Sequence, residues 1–157
     1  MSRQVLKVEG LRELEEALKG LAEEFKISNA RNVLRGALKD GGQLVADSGE
    51  QHAPRLSGKL ADSYTVGSKL SRRQRKLHQK ESPLEVFVGP TPHPKSVQTE
   101  FGNSHQAAHP HLRPAWDGNW RKVLDLIVVR TKERLEATRK RLARKAERDA
   151  AKLKAAP

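Results

Sequence analysis

The stretch from residue 99 to residue 116 constrains the fold most, because loop-forming residues there are followed at once by a long helical pattern. Gly102 permits a backbone turn that residues with a Cβ resist, and Pro110 and Pro114 each fix φ. A helix is therefore excluded until Pro114, which suits a first helical turn. The pattern predicts a rigid loop that joins a compact fold to a basic helical arm.

Two amphipathic helices are predicted before this loop. The first covers about residues 10 to 26, because large apolar residues recur there at helical spacing: Leu11, Leu14, Leu18, Leu21 and Phe25. The second begins with Ser28 or Asn29 as its cap and ends before Pro54. A Gly41-Gly42 pair weakens its middle.

Extended segments follow the second helix. β-Branched and aromatic residues predict strands over residues 63–68 and 84–89, the second ending at Pro90, and these strands can pair as a hairpin. The polar, basic segment 71–82 between them is expected to be a mobile loop. A third extended stretch is expected over residues 96–101.

A long C-terminal helix is predicted after Pro114. Trp116 and Trp120 fall on one helical stripe, as core residues by their spacing or, alternatively, as interface anchors. Beyond Arg130 few large apolar residues remain, so this half of the helix is expected to lack an intrachain surface. The predicted fold is α+β: two N-terminal helices, a small mainly antiparallel sheet with a long basic hairpin loop, and a long C-terminal helix. A domain over residues 1–130 and a basic, helical or partly disordered extension over residues 131–157 are expected.

Composition excludes several classes of protein. The 157 residues carry a net charge of +12, and the excess is concentrated in segments 72–80 and 130–154. Without cysteine the chain has no disulfide, thiolate nucleophile or sulfur metal ligand, which suits a reducing cytoplasm. No apolar run is long enough for a signal peptide or a membrane span, so we expect a soluble protein without a membrane partner.

No residue pattern predicts catalysis or a cofactor. The histidine cluster has loose spacing and straddles Pro110 without a helix to orient its members, which disfavours a metal site: His93, His105, His109 and His111. The scattered acids are interpreted as solvated surface residues: Asp47, Glu50, Glu85 and Glu100. Ser57 lacks the context of a nucleophile elbow. We therefore expect no enzyme activity.

The basic residues leave two interpretations open. In the first, these residues neutralise phosphates of nucleic acid or contact a partner protein. No aromatic residue lies among those of the arm, so contact with nucleic acid would not include base stacking. The candidate residues are Arg72, Arg73, Arg75, Lys76, Arg139, Lys140, Arg141, Arg144 and Lys145. Alternatively, the arm is a solvated helix whose charges pair internally through Glu133, Glu136, Glu147 and Asp149. Insertion into a membrane is disfavoured, because the arm has too few large apolar residues.

Five short motifs occur in an order that resembles one family. They are Ala53-Pro54; Ser57-Gly58 with Leu60 and Ser63; a strand ending Val88-Gly89-Pro90; Glu100-Phe101-Gly102; and a block from His109 through Pro110, His111, Leu112, Arg113 and Pro114 to Ala115. In the order and spacing of these motifs the chain resembles the neck or tail-completion proteins of long-tailed bacteriophages of the Hong Kong 97 type. The similarity covers about residues 5 to 130. His111 stands where the family usually has Phe, and the arm after Arg130 matches no motif.

The resemblance implies a non-enzymatic subunit of a ring at the head-tail junction of a virion, assembled in the host cytoplasm. Its implied partners are further copies of itself in a six-fold or twelve-fold ring, a head-closure or connector protein, a tail terminator or tail tube protein, and DNA in the channel. The docking candidates are Glu100, Phe101, Gly102, His109, Pro110, Leu112, Arg113, Pro114 and Trp116. Arg113 has two interpretations, a contact with a neighbouring subunit or a cover over its own core. The alternative function is that of a small, sequence-independent DNA-binding protein.

Overall fold

The computed structural model describes residues 27–91 and 95–155. Two compact units arise: a central unit, Leu38–Ile127, and a terminal unit, which comprises the described residues of Met1–Ala37 and Val128–Pro157. Within these residues, five α-helices and one antiparallel pair of strands make a mixed fold compatible with the α+β prediction. The helix expected over residues 10–26 and His93 lie outside the described residues.

Helix α1, Ile27–His52, confirms the second predicted helix and its end before Pro54. Ser28 and Asn29 lie within this helix and do not precede it as caps. A Cβ at Gly41 would lie 2.8 Å from Cγ1 of Ile127, and one at Gly42 would lie 2.9 Å from Cγ2 of Val88. The glycine pair therefore gives up helix propensity for close packing in the central unit.

The predicted hairpin is confirmed. Strands β1, Tyr64–Gly67, and β2, Phe87–Pro90, pair antiparallel with Tyr64 opposite Pro90 and Gly67 opposite Phe87. A short 3-10 helix, Ala61–Ser63, leads into β1 and packs its buried alanine with Ala53 and Leu60.

The segment between the two strands is not a loop throughout, which corrects the expectation for residues 71–82. It contains helix α2, Arg72–Leu77, which begins with a capping box: the Ser71 hydroxyl accepts from the Gln74 backbone N–H, and the Gln74 side chain accepts from Ser71 N–H. These reciprocal bonds satisfy two backbone donors that a helix start otherwise leaves unpaired. After α2, a hydrogen bond joins the two ends of the remaining loop: His78 Nε2 lies 2.9 Å from Glu85 Oε2.

The expectation of an extended stretch over residues 96–101 is wrong. These residues form helix α3, Ser96–Phe101, in which the Thr99 side chain donates to the Lys95 carbonyl at 2.8 Å. Thr99 and Glu100 are buried together, whereas an extended chain would direct adjacent side chains to opposite faces. Tertiary burial of these two polar residues thus overrides the local strand propensity.

The two tryptophans do not share one helix. Helix α4, Leu112–Asp117, is followed by Gly118 and Asn119 and then by helix α5, Trp120–Ala155. Pro114 lies in the first turn of α4, as predicted. Trp116 is 52% exposed, so its assignment to the core is wrong.

The terminal unit has a small core formed between α1 and α5. Val33 and Leu135 are buried there, with Ala30 and Leu142 packed against them, and Thr131 is fully buried. The expectation that α5 lacks an intrachain surface beyond residue 130 is therefore wrong over residues 131–142. The proposed domain boundary at residue 130 falls within the continuous α5 helix, and that division stays a prediction.

Candidate docking site

Glu100 ties the end of α3 to the start of α4. Its carboxylate is buried and accepts the backbone N–H groups of His111 at 2.8 Å, Leu112 at 2.9 Å and Arg113 at 3.1 Å. The Arg113 side chain adds a fourth bond, from Nε at 3.2 Å. The first N–H groups of a helix have no partner within that helix, so this carboxylate caps α4 from a distant part of the chain. The interpretation of Glu100 as a solvated surface acid is wrong.

These bonds decide the ionisation of Glu100. Burial raises the pKa of a carboxyl group, but the three backbone N–H donors and the Arg113 side chain outweigh burial and lower the pKa of Glu100 to about 2. Glu100 is therefore ionised at neutral pH, and its negative charge faces the N-terminal end of α4.

The loop between α3 and α4 is folded on itself. Gly102 ends α3 with a φ of 75°, where a Cβ would approach the Ala108 backbone nitrogen to 2.9 Å. Asn103 donates its N–H to the Gln106 carbonyl at 2.9 Å, and His109 donates its N–H to the Thr99 carbonyl at 2.7 Å. These bonds agree with a rigid loop.

Buried His111 hydrogen-bonds through Nδ1 to the hydroxyl of Tyr64, and the two rings meet edge to face at 5.7 Å. Burial lowers the pKa of His111, against the opposing effect of Glu100, so the imidazole is neutral at neutral pH. Burial, and then the charge of Glu100, raise the pKa of Tyr64. The resembled family usually has Phe at this position, and His111 here adds a polar partner for a tyrosine on β1.

Arg113 contacts residues of its own chain, and its contact with a neighbouring subunit stays a prediction. Its Nη2 donates to the Glu100 carbonyl at 3.2 Å, and its guanidinium carbon lies 4.9 Å from the centre of the Phe101 ring. More than half of the side chain is nevertheless exposed. Phe101 itself is 64% exposed, so this cation and aromatic pair forms part of the surface.

An open apolar groove of about 520 Å³ lies beside α4 in the central unit. Leu112, Arg113 and Trp116 line one side. The remaining wall is mainly aliphatic and includes Leu38, Val45, Leu84, Val86, Val88 and Ile127. A groove with this lining and a half-exposed tryptophan has the composition of a protein-binding surface.

The structure brings only some of the sequence candidates to this groove. Glu100 and Pro114 support α4, whereas Gly102, His109 and Pro110 lie on the loop and do not line the groove. Sequence analysis missed the contributions of Leu84 and Val86, and the role of Tyr64 as the partner of His111. No local signal marks those roles, because all three residues look like ordinary strand residues.

The described members of the histidine cluster, His105, His109 and His111, do not come together with acids to form a metal site. Within residues 27–91 and 95–155, no group of three or more His, Cys, Asp or Glu residues is arranged to hold an ion. In the same part of the chain no helix is both long enough and apolar enough to cross a membrane.

The candidate basic residues fall into two separate groups. Arg72, Arg73, Arg75 and Lys76 are exposed on α2 of the central unit, where Arg75 Nη2 donates to the Leu70 carbonyl at 3.3 Å. The second group is exposed on α5 of the terminal unit: Arg139, Lys140, Arg141, Arg144 and Lys145.

Comparison with known proteins adds no relative: no family model, no curated protein and no solved structure matches the chain.

Proposed function

We propose that this protein is a structural subunit of the head-tail junction of a bacteriophage, a neck or tail-completion protein that assembles as a six-fold or twelve-fold ring. The ring joins a head-closure or connector protein to a tail terminator or tail tube protein and leaves a channel for DNA. The protein acts without catalysis, in the virion after assembly in the host cytoplasm. The ordered set of five sequence motifs is the source of this proposal.

One observation carries the proposal furthest: two of those motifs meet in a single site. Glu100, from the Glu100-Phe101-Gly102 motif, accepts hydrogen bonds from three consecutive backbone N–H groups of the block from His109 to Ala115. Residues of that block also line the apolar groove. The motifs therefore share a physical role, which is to fix α4 beside an open surface. A preorganised surface loses less conformational entropy on docking than a flexible one.

The occupant that we assign to this groove is a second copy of the chain. In a ring of identical subunits each copy presents two different surfaces, and the contact between them closes when its rotation permits. Trp116 at the edge of the groove supplies the large aromatic side chain that dominates many such contacts.

Size-exclusion chromatography with light scattering tests assembly directly. We expect the wild-type chain to elute at six or twelve times its mass of 17.5 kDa, and negative-stain electron microscopy to show rings. Trp116→Asp should give monomers with an unchanged melting temperature, because the side chain is half-exposed before assembly. Leu77→Asp is the matched control, since Leu77 is 80% exposed on α2 and does not line the groove.

The proposal is contradicted if the wild-type chain is absent from the necks of intact virions when these are labelled with an antibody. A ring that forms equally well with Trp116→Asp would contradict the assignment of the groove, because it would show that the groove is not the subunit contact.

A further inference from the structure

Five basic residues of α5 lie on one side of the helix: Lys140, Arg141, Arg144, Lys145 and Arg148. With 3.6 residues per turn they fall within an arc of about 140°, and they extend over about 12 Å of the helix axis. All five are exposed and border one shallow depression, together with Ala137 and Asp149. Thr131, Leu135 and Leu142, which face the core of the terminal unit, lie on a different side of α5.

These five side chains are not used within the described part of the chain, where none of them makes a hydrogen bond or an ion pair. Arg130, by contrast, binds Glu133 at 2.8 Å, and Arg139 also has a partner. Glu136 and Glu147 lie at the edge of this arc, beside Lys140, yet neither forms an ion pair with any of the five in the described part of the chain. The internal pairs that would neutralise the arm are therefore not formed on this face.

We infer that this cationic face binds the phosphate backbone of duplex DNA without regard to sequence. The face has no aromatic residue on which a base could stack and no large apolar residue with which to enter a membrane or anchor a protein. Duplex DNA presents about one negative charge per 1.7 Å of its axis, so a short row of cations meets several phosphates at once. The inference depends on α5 alone and not on assembly of a ring.

The second basic group serves as a matched control. Arg72, Arg73 and Lys76 are also exposed and unpaired within the described residues, but they lie on a six-residue helix of the other unit. Replacing three residues in either group removes the same net charge. The two triple variants are R141Q/R144Q/R148Q and R72Q/R73Q/K76Q.

Fluorescence anisotropy with the full chain and two labelled 30-base-pair duplexes of unrelated sequence measures the binding. We expect equal affinity for both duplexes and a plot of log affinity against log salt with a slope of about −4.5, as for five neutralised phosphates. The R141Q/R144Q/R148Q variant should lose affinity by at least about tenfold at 100 mM salt and reduce the slope by about 3. The R72Q/R73Q/K76Q variant should change affinity less than about threefold.

Several results overturn the inference. They are no binding at 50 mM salt, an equal loss in both triple variants, and displacement of DNA by polyglutamate at equal charge concentration, which would identify an acidic polypeptide as the partner. Light scattering of each sample distinguishes failure of DNA binding from failure of the ring proposal. Trp116→Asp should abolish rings and leave DNA affinity within about threefold of a wild-type monomer. Circular dichroism of the variants confirms that α5 is retained.

Discussion

Glu100 and Arg144 both carry charge, but in different surroundings. Glu100 is buried in the central unit with its carboxylate occupied by four hydrogen bonds, whereas Arg144 is exposed in the terminal unit with no partner among the described residues. A buried charge that is fully hydrogen-bonded fixes the positions of its partners, and its removal leaves them unsatisfied. An exposed, unpaired cation adds little to stability and remains available to a ligand. The difference separates a structural device from a binding surface.

The largest expected effect comes from Glu100→Ala. The variant leaves three backbone N–H groups at the start of α4 without their acceptor, and we expect it to lower the free energy of unfolding by about 4 kcal/mol. Urea denaturation measures the loss. Glu133→Ala, which removes an exposed ion pair with Arg130, should cost less than about 1 kcal/mol. Similar losses in the two variants would remove the contrast between the regions.

Acid is expected to weaken the protein mainly through the same carboxylate. The folded-state pKa of Glu100, about 2, lies below its ordinary value of 4.5, so its contribution is present above pH 4.5 and is lost as pH falls towards 2. The shift corresponds to about 3 kcal/mol of stability. The lowered pKa of His111 begins a smaller loss below about pH 6.5, because the unfolded chain then binds the proton more readily. Urea denaturation between pH 7 and pH 2 should give Glu100→Ala a flatter profile than the wild type.

Gly102→Ala tests the rigidity of the loop. Alanine at this position would have to adopt the left-handed backbone conformation, with a φ of 75°, and its Cβ would press on the Ala108 and Gln106 backbone. We therefore expect the free energy of unfolding to fall by about 2 kcal/mol. Gly67→Ala is the control, because its Cβ would meet nothing nearer than 3.9 Å and should cost less than about 0.5 kcal/mol. Thermal denaturation compares the two, and equal shifts in melting temperature would contradict a close-packed loop.

A double-mutant cycle tests the bond between Tyr64 and His111. Tyr64→Phe and His111→Phe each leave one buried polar partner unpaired, so the double variant should lose about 1 kcal/mol less than the sum of the single variants. Urea denaturation of the four proteins gives the coupling. Additive losses would mean that the hydroxyl and the imidazole do not interact.

The smallest effect is expected from the exposed arm. The R141Q/R144Q/R148Q variant should change the free energy of unfolding by less than about 0.5 kcal/mol, because these side chains have no partner within the described residues. Urea denaturation of the same protein that is used for the DNA measurements checks this value. A large loss would show that the cations stabilise the fold and would weaken the contrast with Glu100.

Patterns of short range predicted much of the architecture. Helical spacing around Val33 predicted α1, two β-branched runs predicted the hairpin, and Pro114 marked the first turn of α4. The capping box of α2 was also legible, since Ser71 precedes Gln74 by three residues, but the basic composition of the segment obscured it. Short-range patterns did not predict helix α3, because Glu100 in this helix is buried through its bonds to a segment that begins eleven residues later.

The sequence by itself determined where helices and strands can occur, through spacing, glycine and proline, and it determined the excess of positive charge. Only the tertiary structure decided which charges are used internally. Glu100 and Arg144 are both charged residues that the sequence alone places at the surface. Their difference comes from what surrounds each one: donors directed at a buried carboxylate in one case, and exposure along a helix in the other. Hydrogen bonding and burial depend on distances between residues far apart in the chain, which local patterns do not encode.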